Sequence, residues 1–180
     1  MKRLVALMAV AAGLSGCATN DRGPDMDDSP PAPAMTSADL RDASGVTRAR
    51  ATVEEVGDSL RVRIEAVQML QGAYGAHVHT TGRCDGPSFT TAGPHWNPTG
   101  QMHGKDNPQG MHKGDLPNLL VGTDGRGSFE YTISGASLGG RANALVDADG
   151  AAVVVHAAPD DYRTDPSGNS GSRIACGVLD

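Results

Sequence analysis

The sequence predicts an all-β fold, and three observations carry that prediction. Only 3% of the 180 residues are aromatic while 24 are glycine, so small and β-branched side chains with tight turns must build the fold. Several short runs alternate apolar and polar residues with period two, and Gly/Asp turns punctuate them. No stretch carries a convincing helical period, and no internal repeat is visible. Once an export segment and a tail are subtracted, the length suits a single domain with its own core.

The N-terminus reads as export machinery. Met1-Lys2-Arg3 supplies positive charge, Leu4 to Leu14 is an apolar run too short to span a bilayer comfortably, and Leu14-Ser15-Gly16-Cys17 follows. Residues 1–16 are therefore expected to be a signal peptide. The tetrapeptide resembles a bacterial lipobox, which would make Cys17 the lipidated first residue of the mature chain; an ordinary signal peptide with an incidental cysteine is the alternative. Ala18 after that cysteine, in place of Asp, resembles outer-membrane sorting. The expected location is the periplasm or cell envelope, with the lipid as the chain's only membrane contact.

Residues 17–45 are rich in Asp, Pro, Ser and Ala, contain Pro30-Pro31-Ala32-Pro33 and lack apolar periodicity, as a solvated tether would. Folded structure is expected over 46–180. Leu60, Val62, Ile64 and Ala66 alternate with Arg61, Arg63 and Glu65 after a Gly57-Asp58 turn, the pattern of a half-buried strand. Further strands are expected at 119–121 and 128–133, flanking Thr123-Asp124-Gly125-Arg126-Gly127, at 152–156 after Asp149-Gly150, and at 173–179. Residues 79–118 and 157–172 break the pattern. Segments that long, rich in Gly, Pro and Asn, are usually functional or disordered.

The six histidines separate those outcomes, because all lie in or beside these two segments. His77 and His79 sit two apart on a strand, so both imidazoles face one side while Val78 faces the other. His95, His103, His112 and Asp115 supply three imidazoles and a carboxylate, a complete tetrahedral set for Zn²⁺. Such an ion can contribute on the order of 10 kcal/mol to ordering a glycine-rich segment. Four protein ligands leave zinc no open position, so that zinc reads as structural and the chemistry must sit elsewhere. His156 ends the apolar Val153-Val154-Val155 run and becomes a ligand candidate only beside the His77/His79 pair.

Two further expectations follow from counting. A formal charge of −6 without any basic run argues against a nucleic-acid partner. Of three cysteines, lipidation of Cys17 leaves Cys84 and Cys176, an even pair expected to be bonded in an oxidising compartment.

At this point a family match is apparent. Gly75-Ala76-His77-Val78-His79, Ala92-Gly93-Pro94-His95-Trp96-Asn97-Pro98, His103-Gly104, His112-Lys113-Gly114-Asp115-Leu116-Pro117-Asn118, His156 followed by Asp160-Asp161, and 168–178 from Gly168 to Val178 resemble, in order, the motifs of copper,zinc superoxide dismutases. The resemblance covers about 46–180. Together with the strand pattern it implies a Greek-key β-barrel or sandwich of about eight antiparallel strands with two long functional loops.

It also implies roles. His77, His79, His95 and His156 would hold copper; His95, His103, His112 and Asp115 would hold zinc, so that His95 is shared as an imidazolate. Asp160 matches an outer carboxylate that accepts hydrogen bonds from His77 and His103. Arg173 matches an active-site arginine that attracts superoxide, with permanent charge suited to that role. The implied reaction oxidises one superoxide to O₂ and reduces a second to hydrogen peroxide, with His95 carrying a proton. Superoxide dismutases are a standard example of fast, electrostatically steered catalysis, and Lys105, Lys113 and Arg173 are the candidate steering cations nearest in sequence. A metal store without turnover is the competing class, and Arg173 and Asp160 speak against it. Relatives include monomers and homodimers, and no apolar stripe chooses between them.

Overall fold

The computed structural model describes residues 34–180. The expected signal peptide, the Cys17 lipidation site and the first part of the tether lie outside the described residues. Among the described residues nine strands form: β1 (Met35–Arg41), β2 (Thr47–Val56), β3 (Ser59–Ala66), β4 (Gly72–Tyr74), β5 (Ala76–His79), β6 (Leu119–Val121), β7 (Gly127–Ser134), β8 (Ala151–His156) and β9 (Arg173–Leu179). Among the described residues the one helical element is a single 3₁₀ turn, Thr90–Ala92. The all-β expectation holds.

Seven strands make one antiparallel sheet in the order β5-β8-β9-β1-β2-β3-β7, and β4 pairs with β6 beside it. The sheet curls around one core. Leu60, Val62, Ile64 and Ala66 of β3 point inward beside Ala49, Ala51 and Val53 of β2, as the period-two pattern requires, while Arg61 and Arg63 face out. β8 differs, because all six of its residues are buried. Ala151, Val153 and Val155 enter the main core; Ala152 and Val154 face a second cluster with Phe89, Ala92 and Cys176. That second cluster packs residues 84–92 against the outer face of the sheet.

The expected tether is corrected at its C-terminal end. Folded structure begins near Met35 and not Val46, because β1 pairs along its length with β2, from Met35 opposite Glu54 to Arg41 opposite Thr47. Arg41 also pairs with Cys176 of β9, which sets the last strand beside the first. In this strand only Leu40 is fully buried, with Ala38 packed against the core. Its polar composition hides it, since main-chain ladders form whatever the side chains.

Candidate metal centre

The register of β5 against β8 sets one half of the site. His77 lies opposite Val154 and His79 opposite Ala152, so both imidazoles share the face that carries His156 at the end of β8, while Val78 enters the main core. The segment 80–118 then folds back onto β5. Trp96 N–H donates to the Val78 carbonyl at 2.8 Å, Val78 N–H to the Gly114 carbonyl at 2.9 Å, and Gly114 N–H to the Trp96 carbonyl at 2.8 Å. Gly114 is required for this close approach, since a Cβ there would strike the Val78 carbonyl. These bonds bring His95 beside His79 and Asp115 beside His77.

The result is a buried cluster of all six histidines, none more than 7% exposed. Its hydrogen bonds assign one ring nitrogen of each copper-candidate histidine and leave the other bare. His77 Nε2–H donates to Asp160 Oδ2 at 2.8 Å, His79 Nδ1–H to the Gly93 carbonyl at 2.8 Å, and His156 Nδ1–H to the Gly171 carbonyl at 3.2 Å. His95 Nδ1 lies 3.0 Å from Asp115 Oδ1. The opposite atoms, His77 Nδ1, His79 Nε2, His95 Nε2 and His156 Nε2, are buried with no partner. They converge, with donor atoms of the four residues all within 4.8 Å of one another. A buried acceptor without a donor costs about 1–3 kcal/mol, and four facing lone pairs make that penalty collective. A soft-tolerant cation removes it, and four imidazoles in this arrangement suit copper.

A second convergence lies on the other side of His95. Nδ1 of His95, His103 and His112 stand 3.0, 3.0 and 3.1 Å from the single oxygen Asp115 Oδ1. Tetrahedral zinc with bonds of 2.0–2.2 Å places its ligand atoms about 3.3 Å apart, so this cluster fits Zn²⁺ after a small expansion. Asp115 Oδ2 accepts from Gly104 N–H at 2.9 Å and His112 N–H at 3.0 Å, which turns Oδ1 toward the rings. His77 also lies within ligand distance of His95, His103 and Asp115. It is a poorer fourth member than His112, because Asp160 takes its Nε2 and its Nδ1 faces the other set.

Asp160 spans both sets, with Oδ2 on His77 and Oδ1 3.0 Å from His103 Nε2. Gly168, at φ 63°, lies over this carboxylate; a Cβ there would overlap both Asp160 and the His103 ring. Arg173 is half-buried and held by two carbonyls, with one guanidinium nitrogen 2.7 Å from Phe89 O and the other 2.7 Å from Gly93 O. The expected disulfide is present: Cys84 and Cys176 are bonded, with Cα atoms 5.6 Å apart.

A cavity of about 940 Å³ opens onto this centre, lined by His95, His112, His156 and Arg173. Its other walls were not visible in the sequence: Thr80 and Thr90 come from one long segment, Ser167 from the other, and Asn143 and Asp147 from 135–150. Neither Lys105 nor Lys113 lines it. Lys113 Nζ donates to the Ser134 carbonyl at 2.7 Å, and Lys105 lies over the Tyr162 ring at 4.4 Å with Asp106 3.6 Å away. Of the three steering candidates only Arg173 faces the cavity, opposed by the acidic Asp147.

Electrostatics divide the histidines. Burial pushes His77 down to about 3 and His156 down to about 4, and lowers His79 and His95 as well, with neighbouring rings adding to the effect. Burial would also lower His103, but Asp115 and Asp160 on its two nitrogens outweigh it and hold that ring up at about 9. Burial raises both carboxylates, yet their histidine hydrogen bonds prevail and leave each well below the usual carboxylate range.

A pH dependence follows for the metal-free protein. Below about pH 6.5 the unfolded chain protonates His77, His79 and His156 before the folded one does, so stability falls from pH 6.5 toward pH 4. His103 acts oppositely: its contribution is complete below about pH 6.5 and is lost as pH rises through about 9. Urea midpoints should peak near neutrality and fall steadily on the acid side. A flat profile from pH 4 to 7 would mean that these rings are not buried neutral.

Comparison with known proteins identifies the family. The family model for copper/zinc superoxide dismutase (SODC) matches residues 44–179. Superoxide dismutase [Cu-Zn] 1 of Aquifex aeolicus is 37% identical over 148 residues, covering 80% of this chain and 86% of that protein. Superoxide dismutase [Cu-Zn] of Caulobacter vibrioides is 38% identical over 149 residues, covering 81% and 82%. The crystal structure of a SOD-like protein from Bacillus subtilis superposes with a TM-score of 0.74 at 37% identity, covering 79% of this chain and 97% of that one. Since the matched region takes in nearly the whole described domain and every residue of both ligand clusters, the chain belongs to the copper/zinc superoxide dismutase family, a family of copper- and zinc-dependent oxidoreductases.

Proposed function

We propose that this protein converts two superoxide anions and two protons into O₂ and hydrogen peroxide at a copper held by His77, His79, His95 and His156, with His95 shared with a structural zinc held by His103, His112 and Asp115. The observation that carries the reading is the set of four partnerless nitrogens, one of them on the ring whose other nitrogen faces Asp115. Bound copper would supply one-electron exchange between two oxidation states. The residues of the chain do the rest.

Arg173 presents permanent positive charge to the cavity, and its two carbonyl anchors hold that charge in place instead of letting it swing into solvent. His95 can hold a proton at Nε2 while its Nδ1 stays committed to the Asp115 cluster, so the proton is stored beside the reacting oxygen. Asp160, Gly93 and Gly171 fix the tautomers of His77, His79 and His156, which keeps their bare nitrogens aimed inward before any metal arrives.

The test is superoxide decay catalysed by protein reconstituted with both metals, together with metal content. Activity well above that of equimolar free copper is the expected result. Activity no higher than free copper would make the protein a metal store.

We further propose a role in antioxidant defence of the cell envelope, with Cys17 as the lipid anchor. Support comes from the Leu14-Ser15-Gly16-Cys17 sequence and from a disulfide that persists in oxidising compartments. Mass spectrometry of the mature N-terminus tests it: an N-terminal Cys17 carrying a diacylglyceryl thioether is expected, and an unmodified terminus at another position would overturn the anchor.

A further inference from the structure

Asn118 touches no candidate metal ligand, yet it makes three bonds to the second long segment. Its Nδ2–H₂ donates to the Asp160 carbonyl at 3.0 Å, its Oδ1 accepts from Asp160 N–H at 2.8 Å, and its own N–H donates to the Tyr162 hydroxyl at 2.8 Å. The side-chain amide thereby pairs with both main-chain polar groups of Asp160, as a strand partner would. Aspartate at this position would lack the donor, and alanine would lack both groups.

Placement gives these bonds their meaning. Asn118 lies immediately before β6 and three residues after Asp115, with the buried Leu116 between them. Asp160 sits in residues 157–172, a segment without a strand; its neighbours Ala158 and Asp161 are bonded to Ser170 and Gly168, but its own N–H and carbonyl are both met by Asn118. The carboxylate must nevertheless meet two rings at once, His77 at 2.8 Å and His103 at 3.0 Å. Tyr162 N–H, two residues on, donates to the same Asp160 Oδ1 at 2.6 Å, and Asp106 N–H donates to the Tyr162 carbonyl at 3.0 Å. The two long segments are therefore cross-linked through Asn118, Asp160 and Tyr162.

We propose that Asn118 is a positioning residue: by pairing with the Asp160 main chain it sets the Asp160 carboxylate across His77 and His103, and so links the zinc cluster to the four-nitrogen cluster. This rests on the metal-site reading above. It predicts that Asn118 acts only through Asp160, which a general structural role would not require.

The experiment is a double-mutant cycle read by zinc affinity, with Zn²⁺ titrated against a chelating indicator for wild type, N118A, D160N and the double variant. Asn118→Ala should weaken Zn²⁺ binding about tenfold in the wild-type background and less than twofold in the D160N background. It should also remove the hydrogen-bonded Nε2–H signals of His77 and His103 from the NMR spectrum of the metal-free protein. Equal losses in both backgrounds, or no loss in the first, would overturn the proposal. Should near-UV circular dichroism show N118A unfolded, N118D runs the same cycle, keeping the acceptor for Asp160 N–H while setting a charged oxygen in place of the donor against the Asp160 carbonyl. A wild-type protein that binds no Zn²⁺ would overturn the metal-site reading itself, and the proposal with it.

Discussion

Replacing His95 by alanine is expected to lower superoxide decay by the reconstituted protein by at least about a hundredfold, the scale of a lost proton donor, and to weaken both metals together. Among the proposed ligands no other should do this. Its Nδ1 belongs to the Asp115 cluster and its Nε2 to the four partnerless nitrogens, so one substitution deletes a ligand from each set. The His95 ring also packs 3.9 Å, centroid to centroid, from the His77 ring, and its removal opens a hole beside a copper candidate.

Asn or Gln at the position would restore bulk without restoring two-sided ligation. His112→Ala is the informative contrast, because His112 Nδ1 faces only Asp115. That variant should lose zinc affinity and keep most copper affinity. Competition titrations with each metal, beside stopped-flow superoxide decay, separate the two. If the His95 and His112 variants lost the same metal to the same degree, His95 would not be shared, and the site would hold two independent ions.

Much of this was legible because it is local. Period two in residues 60–66 declares β3 whatever surrounds it, and His77-Val78-His79 places two rings on one face by strand geometry alone. The zinc set was readable for another reason, since few arrangements other than metal binding tolerate three histidines and an aspartate in a segment with so little apolar content, whereas the copper set and the sharing of His95 came from the family resemblance. β1 was missed because a strand in mid-sheet can be held by its ladder with one fully buried side chain. The cavity walls were missed because they are assembled by tertiary folding. Asn143 and Asp147 come from a stretch with no motif, and Lys105 and Lys113, near the ligands in sequence, turn toward Tyr162, Asp106 and Ser134 instead. Asn118 belongs with these: its role is a pairing with a residue 42 positions away.

Removing the disulfide, by Cys84→Ser with Cys176→Ser, is expected to cost both stability and rate. The bridge closes a loop of 92 residues, and chain entropy assigns such a closure about 4.6 kcal/mol in the unfolded state, with measured losses usually about 2–5 kcal/mol. Urea unfolding should report that loss as a lower midpoint. The rate should fall for a separate reason. Cys84 begins the segment whose Phe89 and Gly93 carbonyls anchor the Arg173 guanidinium, and Cys176 follows Arg173 by three residues on β9. The bridge therefore clamps Arg173 to its own acceptors. Competing with it is the small cluster in which Phe89 and Ala92 pack on Ala152 and Val154, which could hold the carbonyls unaided. Stopped-flow decay at several salt concentrations distinguishes them. A free Arg173 should give a slower reaction whose rate responds less to salt, because a mobile charge steers an anion less well than a fixed one. A variant that is less stable but has unchanged rate and salt dependence would assign the positioning of Arg173 to the packing of Phe89 and leave the disulfide a purely stabilising role.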